Sequence, residues 1–448
     1  MKTIDIKTVH IAPSEVRSTL SRYMLADGMD LVVDLQKSQG SLFFDALRNR
    51  HYIDFFSFFA THPIGFNHPH LLTEESKREL LQAATTKVSN ADVYTVAMAE
   101  FVRTFAQIAK PAYMKYLFFI DGGALAVENA LKVAFDWKIR KNFRKGYREE
   151  RGFQVIHFQQ AFHGRSGYTL SLTNTFDPRK TAYFPKFKWP RVLNPKIAFP
   201  ITPQQVLEVE RAEAESIRQI EAAFRDNRDD IAAIIIEPIQ GEGGDNHFRK
   251  EFLQRLRTLA DENEALLIFD EVQTGFGLTG RMWASEYFVE PDLIAFGKKS
   301  QVCGLMCSQR VDEEPENVFH VPSRINSTFG GSLTDMVRCR KYLEVIQAER
   351  LIDQALRSGA HLQRSLLNLE KEFPGKVSNA RGRGLFCAID FTGPEQKKDF
   401  IARCFNKGLL ILPCGERSAR FRTALNIDRH TLDEGLRIIH EVVAEMPL

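Results

Sequence analysis

Short apolar runs alternate with longer amphipathic segments through the middle of the chain. The apolar runs have the length of single buried strands and are predicted at 115–120, 154–158, 231–236, 265–269 and 292–296. Segments with apolar residues every three or four positions predict helices at 124–138, 207–230 and 252–263. Nearly continuous apolar strands separated by helices are typical of an α/β protein with a mostly parallel sheet that helices cover on both faces.

The pattern changes after about residue 336. A long helical stretch at 336–373 is followed by apolar segments at 382–390 and 408–412, and a last amphipathic helix runs to the C-terminus. This alternation predicts a smaller α+β domain. We therefore divide the chain into an N-terminal segment, a large domain and a C-terminal small domain at 1–70, 71–335 and 336–448.

Composition excludes several classes of protein. The 60 Lys and Arg residues nearly balance the 57 Asp and Glu residues, and a net charge of +3 disfavours a nucleic-acid or membrane-surface partner. No apolar run approaches the roughly 20 residues of a membrane helix, and residues 1–20 lack a signal-peptide core. The six cysteines are sparse, which indicates reduced thiols in a cytoplasmic protein. A metal site at Cys303 and Cys307 is disfavoured because no histidine or second cysteine pair lies near them.

An acidic motif follows one predicted strand. Asp270 begins the sequence DEVQTGFG directly after the strand at 265–269. Ligands of parallel sheets bind beyond the carboxyl ends of the strands. A buried aspartate is costly there unless a cation pairs with it, and a protonated pyridine nitrogen would be such a cation. The alternative is an ordinary helix cap followed by a glycine-rich turn.

A pair of lysines follows the next strand. Lys299 comes 29 residues after Asp270, and Lys298 precedes it. A lysine inside a site can lose its proton and attack an aldehyde. A one-residue shift reverses which side chain faces the site, so the choice between the two lysines stays open at this point. Both could also be surface residues.

A pair of glycines forms the third motif. Gly122 and Gly123 separate the strand at 115–120 from the helix at 124–138. Glycines before a helix allow the first backbone N–H groups to hold a phosphate, although a simple tight turn is the alternative. The three motifs together supply a phosphate cradle, a pyridinium partner and a Schiff-base lysine, which are the parts needed to hold pyridoxal 5'-phosphate.

The stretch from 268 to 299 resembles the signature of the class III, fold-type I aminotransferases, which depend on pyridoxal phosphate. Within that family, Leu125 replaces a common glutamate, as it does in the enzymes that act on lysine. Segments that resemble those lysine 6-aminotransferases lie at 121–132, 162–173, 239–246, 298–304 and 326–331. The resemblance implies a large domain around a mostly parallel central sheet and a smaller α+β domain.

The resemblance also assigns roles in binding the cofactor. Lys299 would be the Schiff-base residue and Asp270 the partner of the pyridine nitrogen. Phe162 would stack on the ring, and Gln273 would bind its oxygen. The phosphate ligands implied are Gly122, Gly123 and Ala124, together with Ser327 and Thr328 from a neighbouring subunit. A homodimer with shared active sites follows from this implication. His163 would lie near the cofactor or simply pack in the core.

The substrate residues implied by the resemblance are charged. Arg165 would bind a distal carboxylate, and Asn326 would also contact substrate. Glu242 would be a mobile partner of a proximal arginine. That arginine is assigned to Arg422, with Arg420 as the competing candidate because Thr423 and Ala424 replace two prolines usual in the family.

The implied reaction passes the ε-amino group of L-lysine to 2-oxoglutarate. Its products are L-glutamate and L-2-aminoadipate 6-semialdehyde, which cyclises to piperideine-6-carboxylate. Other possibilities are a class III enzyme for ornithine, 4-aminobutyrate or a diamine, and a racemase or mutase that uses the same cofactor.

Overall fold

The structure is a computed structural model that describes residues 9–447. The beginning of the expected N-terminal segment, including part of the stretch tested for a signal peptide, lies outside the described residues. A seven-stranded sheet forms the centre of the fold. In spatial order its strands are Met114–Ile120, Cys303–Ser308, Leu293–Phe296, Leu266–Asp270, Ile231–Ile236, Gln154–Phe158 and Arg191–Val192.

This sheet is mostly parallel, as the apolar runs predict. Every residue of the strand Ile231–Ile236 is buried because helices cover both faces. One strand, Cys303–Ser308, runs antiparallel to both of its neighbours. It was absent from the predicted strands, and it buries both Cys303 and Cys307 in the core. The parallel strands end at one edge of the sheet, so the residues that follow them converge there.

Helices pack on the sheets, and several of them begin at a side-chain cap. Thr202, for example, caps the longest of them, and proline occupies its first position, where no backbone N–H is needed. The helices are Val16–Ser21, Glu74–Thr85, Val96–Ile108, Gly123–Arg144, Gly167–Leu172, Pro203–Asp226, Lys250–Glu262, Leu333–Ala348, Leu351–Glu372, Pro394–Lys407 and Arg429–Glu445. Within residues 9–447, none of the helices combines the length and the apolar composition that crossing a membrane requires.

The single long helix predicted at 336–373 is two helices. Leu333–Ala348 ends near Glu349, and Leu351–Glu372 begins after Arg350, whose φ of 52° is left-handed. The sequence contains neither glycine nor proline at this break, and apolar periodicity continues across it. The pattern therefore gave no signal for the turn.

An antiparallel sheet forms the C-terminal part of the molecule. Its strands, in spatial order, are Val377–Arg383, Phe386–Phe391, Ser418–Phe421 and Leu412–Cys414. A separate small sheet joins the N-terminal part of the chain to the C-terminal part, because Arg50–Asp54 pairs both with Leu42–Asp45 and with Leu409–Leu410. The remaining strands, Ile239–Gln240 and Asn246–His247, form a hairpin beside the central sheet.

Candidate active site

A cavity of about 530 Å³ opens at the carboxyl edge of the central sheet. The three sequence motifs meet there, although the glycine motif lies more than a hundred residues before the other two along the chain. The residues from these motifs that line the cavity are Gly123, Ala124, Asp270, Val272, Gln273 and Lys298. Phe162 and five charged residues from other parts of the chain also line it: Arg165, Lys180, Glu237, Glu242 and Arg420.

The helix Gly123–Arg144 directs its N-terminus into this cavity. Gly122 has a φ of 97°, which favours glycine, and no side chain caps the first turn of the helix. A side chain on Gly123 would approach Val272 to 3.2 Å, so the backbone stays open at this point. The free N–H groups and the helix dipole can hold a phosphate.

Asp270 ends its strand beside a buried histidine. Its Oδ2 lies 2.8 Å from His163 Nδ1, and its Oδ1 accepts a hydrogen bond from the Val272 backbone N–H. Both side chains are buried, and His163 Nε2 has no hydrogen-bond partner among the described residues. His163 therefore packs in the core and at the same time orients the carboxylate that faces the cavity.

The two lysines occupy different environments, and the structure reverses the expected choice. Lys298 lines the cavity and has a left-handed φ of 55°. Lys299 does not line it, because its Nζ donates to the Gln273 carbonyl oxygen at 2.7 Å. Burial lowers the pKa of Lys298, and the neighbouring Arg420 cation lowers it further. The amine that faces this cavity is thus that of Lys298 rather than Lys299.

Glu242 is held by two cations. Its Oε2 accepts from Arg420 Nη2 at 2.7 Å, and its Oε1 accepts from Lys180 Nζ at 2.5 Å. Burial alone would raise the pKa of Glu242, but Arg420 and Lys180 together bring it below its usual value. Arg420 is itself buried, and its Nε and Nη1 have no partner among the described residues. These donors are available to an incoming carboxylate.

Arg422, assigned from sequence as the partner of Glu242, lies elsewhere. Its Nη2 donates to Asp245 at 2.6 Å, and its guanidinium stacks 3.5 Å from the centre of the Phe386 ring. The side chain is fully buried and does not line the cavity. The strand Ser418–Phe421 presents Arg420 to the cavity and ends before Arg422, which corrects the preference between the two arginines.

Arg165 lies at the mouth of the cavity. It is exposed and forms no ion pair with a carboxylate in the described part of the chain. Its guanidinium lies 5.9 Å from the centre of the Phe162 ring, close enough for a weak cation–π contact. An arginine in this position can bind a substrate carboxylate with two parallel hydrogen bonds.

The segment 326–331 lies away from the cavity of its own chain. Ser89 Oγ donates to the Thr328 carbonyl oxygen, and Lys87 Nζ lies 3.8 Å from the centre of the Phe329 ring. Asn326 and Thr328 are exposed, and Ser327 is partly buried. One chain alone therefore does not bring these predicted residues to its cofactor-binding residues.

The sequence reasoning missed two members of the site. Glu237 is buried and accepts hydrogen bonds from the backbone N–H groups of Phe162 and Gly241, each at 2.9 Å. It directly follows the strand Ile231–Ile236, so the argument used for Asp270 could have found it. Burial raises the pKa of Glu237 to about 7. Lys180 follows no strand, and nothing in the sequence pattern marked it.

The residues around the cavity fit pyridoxal phosphate. An uncapped helix N-terminus suits the phosphate, and Asp270 suits a pyridinium nitrogen. Phe162 offers an aromatic face, and Gln273 Oε1 is buried without a partner among residues 9–447. Lys298 supplies the amine that an aldehyde requires.

Known proteins share this sequence and fold. The sequence profile of the family "Aminotransferase class-III" matches residues 23–443. The L-lysine-epsilon aminotransferase of Mycobacterium bovis is 48% identical over 445 residues, which cover 99% of this chain and 98% of that protein. The enzyme of the same name from Amycolatopsis lactamdurans is 48% identical over 429 residues, with coverages of 95% and 94%.

A solved structure agrees with these sequence similarities. The lysine aminotransferase from M. tuberculosis superposes with a TM-score of 0.94 at 49% identity, and the match covers 96% of this chain and 99% of that one.

Proposed function

Because this chain belongs to the class-III aminotransferase family, we propose that it transfers the ε-amino group of L-lysine to 2-oxoglutarate. The products are L-glutamate and L-2-aminoadipate 6-semialdehyde, which cyclises to piperideine-6-carboxylate. The pairing of Glu242 with Arg420 inside the cavity is the observation that carries the proposal, because it allows one site to accept two differently charged substrates. The similarity to lysine aminotransferases supports it.

Pyridoxal phosphate, when bound, provides the electron sink for breaking the bond between hydrogen and the amine-bearing carbon. The backbone N–H groups of Gly123 and Ala124 would hold its phosphate. Asp270, oriented by His163, would keep the pyridine nitrogen protonated. Lys298 Nζ, with its pKa lowered by burial, would take a proton from the substrate carbon and return it elsewhere.

Lysine must place its ε-amine in the cavity and its α-carboxylate far away. Arg165 at the mouth can bind that carboxylate. Meanwhile Glu242 neutralises Arg420, so no bare guanidinium faces the lysine side chain. A lone buried arginine would otherwise carry an uncompensated charge beside a cationic substrate.

Glutamate and 2-oxoglutarate place a carboxylate next to the reacting carbon. That carboxylate would displace Glu242 from Arg420 and use the unpartnered Nε and Nη1 donors as well. The distal carboxylate would again bind Arg165. Two arginines and one mobile glutamate thus distinguish the two substrates.

We further propose a cytoplasmic homodimer with shared sites. Asn326, Ser327 and Thr328 do not reach the cavity of their own chain, and two of the three are exposed. Placed at the site of a partner subunit, Ser327 and Thr328 would bind the phosphate, and Asn326 would contact substrate.

A comparison of amine donors tests the proposed reaction. The holoenzyme is supplied with 2-oxoglutarate and with lysine, ornithine, 4-aminobutyrate or a diamine, and the glutamate formed is measured. Lysine should give the highest kcat/KM, with the cyclised semialdehyde as the carbonyl product. A clear preference for another donor would overturn the substrate assignment. A racemase or mutase would form no glutamate from any of them.

A further inference from the structure

We propose that Lys180 is a second anchor for Glu242 and thereby a specificity-determining residue for the dicarboxylate acceptor. The inference rests on the proposed function, because it concerns how Glu242 leaves Arg420 when 2-oxoglutarate binds. Lys180 would keep Glu242 paired during that exchange.

The contacts around Glu242 are divided between its two oxygens. Oε1 binds Lys180 and Oε2 binds Arg420, so losing one cation leaves the other contact intact. The Lys180 side chain is only 16% exposed and Glu242 is 27% exposed. In this poorly solvated position a charge–charge contact is stronger than on an open surface.

Lys180 also lies where the exchange takes place. Its Nζ is 5.7 Å from the centre of the Phe162 ring, and the residue lines both the active-site cavity and a neighbouring cavity of about 780 Å³. Arg165 lines both cavities too. Lys180 therefore stands between Arg420 on the inside and the mouth of the site.

The position of Glu242 between Lys180 and Arg420 affects the free energy of acceptor binding. When a carboxylate takes Arg420, a Glu242 without Lys180 would be left partly buried and unpaired, which is unfavourable. With Lys180 present, Glu242 loses its contact with Arg420 but keeps its ion pair with Lys180. When lysine binds, Glu242 stays on Arg420 in either case, so Lys180 has a much smaller effect. Loss of Lys180 should weaken binding of the acceptor selectively.

Arg179 offers a matched control on the same short turn, Pro178–Lys180. Its side chain is 88% exposed and pairs with Asp177, not with Glu242. An Arg179→Met change removes a cation one position away from Lys180 and leaves the contacts of Glu242 in place.

The test loads the protein with pyridoxamine phosphate and titrates 2-oxoglutarate by rapid-mixing spectroscopy. Lys180→Met should weaken 2-oxoglutarate binding by about tenfold, while the half-reaction with lysine changes by less than about threefold. Lys180→Arg should recover most of the affinity, and Arg179→Met should resemble the natural protein. An equal loss in both half-reactions, or no loss in either, would overturn the proposal.

A double-mutant cycle separates an anchor from direct contact with the acceptor. In a Glu242→Gln background there is no carboxylate to anchor, so adding Lys180→Met should cause little further loss. A full loss in that background would mean that Lys180 binds the acceptor itself, which contradicts the anchor. Because pyridoxamine phosphate is supplied directly, the 2-oxoglutarate titration and its double-mutant cycle do not depend on whether lysine is the natural donor.

Discussion

Neighbouring residues in this site face opposite environments. Lys298 lines the cavity and has a left-handed backbone, whereas the Lys299 amine donates a hydrogen bond to the Gln273 carbonyl oxygen. A non-glycine residue with positive φ near reacting groups is a strained position that the surrounding structure must hold in place. The backbone at this turn thus determines which amine faces the cavity.

Chemical trapping checks the assignment of the reactive lysine. Borohydride reduction of the holoenzyme should fix the cofactor on Lys298, which peptide mass spectrometry locates. Lys298→Ala should abolish this attachment and lower kcat by about 10²-fold or more. Lys299→Met is the matched control and should retain the attachment. A reduced cofactor on Lys299 would contradict the assignment.

The two arginines make a second comparison at the residue scale. Arg420→Leu should weaken glutamate and 2-oxoglutarate binding by at least about tenfold, because the proximal carboxylate loses its guanidinium. Arg422→Leu should instead lower the free energy of unfolding by about 3 kcal/mol, because Asp245 is left buried and unpaired. Substrate titration and denaturant unfolding measure the two effects. If Arg422→Leu weakened substrate binding and Arg420→Leu lowered only the stability, Arg422 would be the arginine that binds the proximal carboxylate.

Strand ends explain what the sequence could and could not locate among these residues. Asp270 directly follows an apolar run and faces the cavity as expected. The choices between Lys298 and Lys299 and between Arg420 and Arg422 depend on backbone direction just beyond a strand. There the alternation of side chains stops, so counting along the sequence no longer fixes which of them faces the cavity.

At the scale of elements, a left-handed turn supports the site from the N-terminal side. Ser57–Ala60 has positive φ at all four residues, between 39° and 63°. Asp54 accepts the Phe56 and Ser57 backbone N–H groups, and Ser57 Oγ donates to the Arg422 carbonyl oxygen. The turn also contacts the lysine-bearing segment Lys298–Ser300. Several contacts thus hold an unfavourable conformation.

A pair of alanine substitutions measures the strain in that turn. Ala60→Gly should relieve a left-handed conformation, which offsets the loss of a buried methyl group. Ala83→Gly, in the helix Glu74–Thr85, should lose helix propensity as well as a buried methyl. The Ala60 variant should be more stable than the Ala83 variant by about 1–2 kcal/mol in denaturant unfolding. Equal losses would indicate an unstrained turn.

The elements themselves were largely predictable. The strand Gln154–Phe158 and the strand Ile231–Ile236 lie where their apolar runs begin and end. The antiparallel strand Cys303–Ser308 was missed because its short CGLMCS sequence follows the lysine motif without a helix between them. Long-range pairing with Met114–Ile120, rather than local pattern, sets its direction.

At the scale of the whole molecule, the net charge of +3 conceals a site rich in charges of both signs. Lys298, Arg165 and Arg420 face the cavity together with Asp270 and Glu242. Near neutrality argued against charged polymers as partners but gave no indication of this arrangement.

Mixed dimers test whether two chains build each site. One variant carries Lys298→Ala, and the other carries Ser327→Ala with Thr328→Val. If Ser327 and Thr328 act at the partner's site, a mixed dimer contains one site with every residue intact. Mixing and refolding the two variants should therefore restore activity at low pyridoxal phosphate concentration. No gain over the separate variants would place these residues at their own chain's site or outside any site.

Labelled lysine tests the proposed reaction most directly. The holoenzyme is incubated with 2-oxoglutarate and with L-lysine that carries ¹⁵N either at the ε-amine or at the α-amine, and the glutamate is analysed by mass spectrometry. If Arg165 binds the distal carboxylate, as proposed, the ε-amine lies in the cavity, and ¹⁵N should pass to glutamate only from the ε-labelled lysine. Transfer from the α-labelled lysine, or from neither, would contradict ε-transamination by this site.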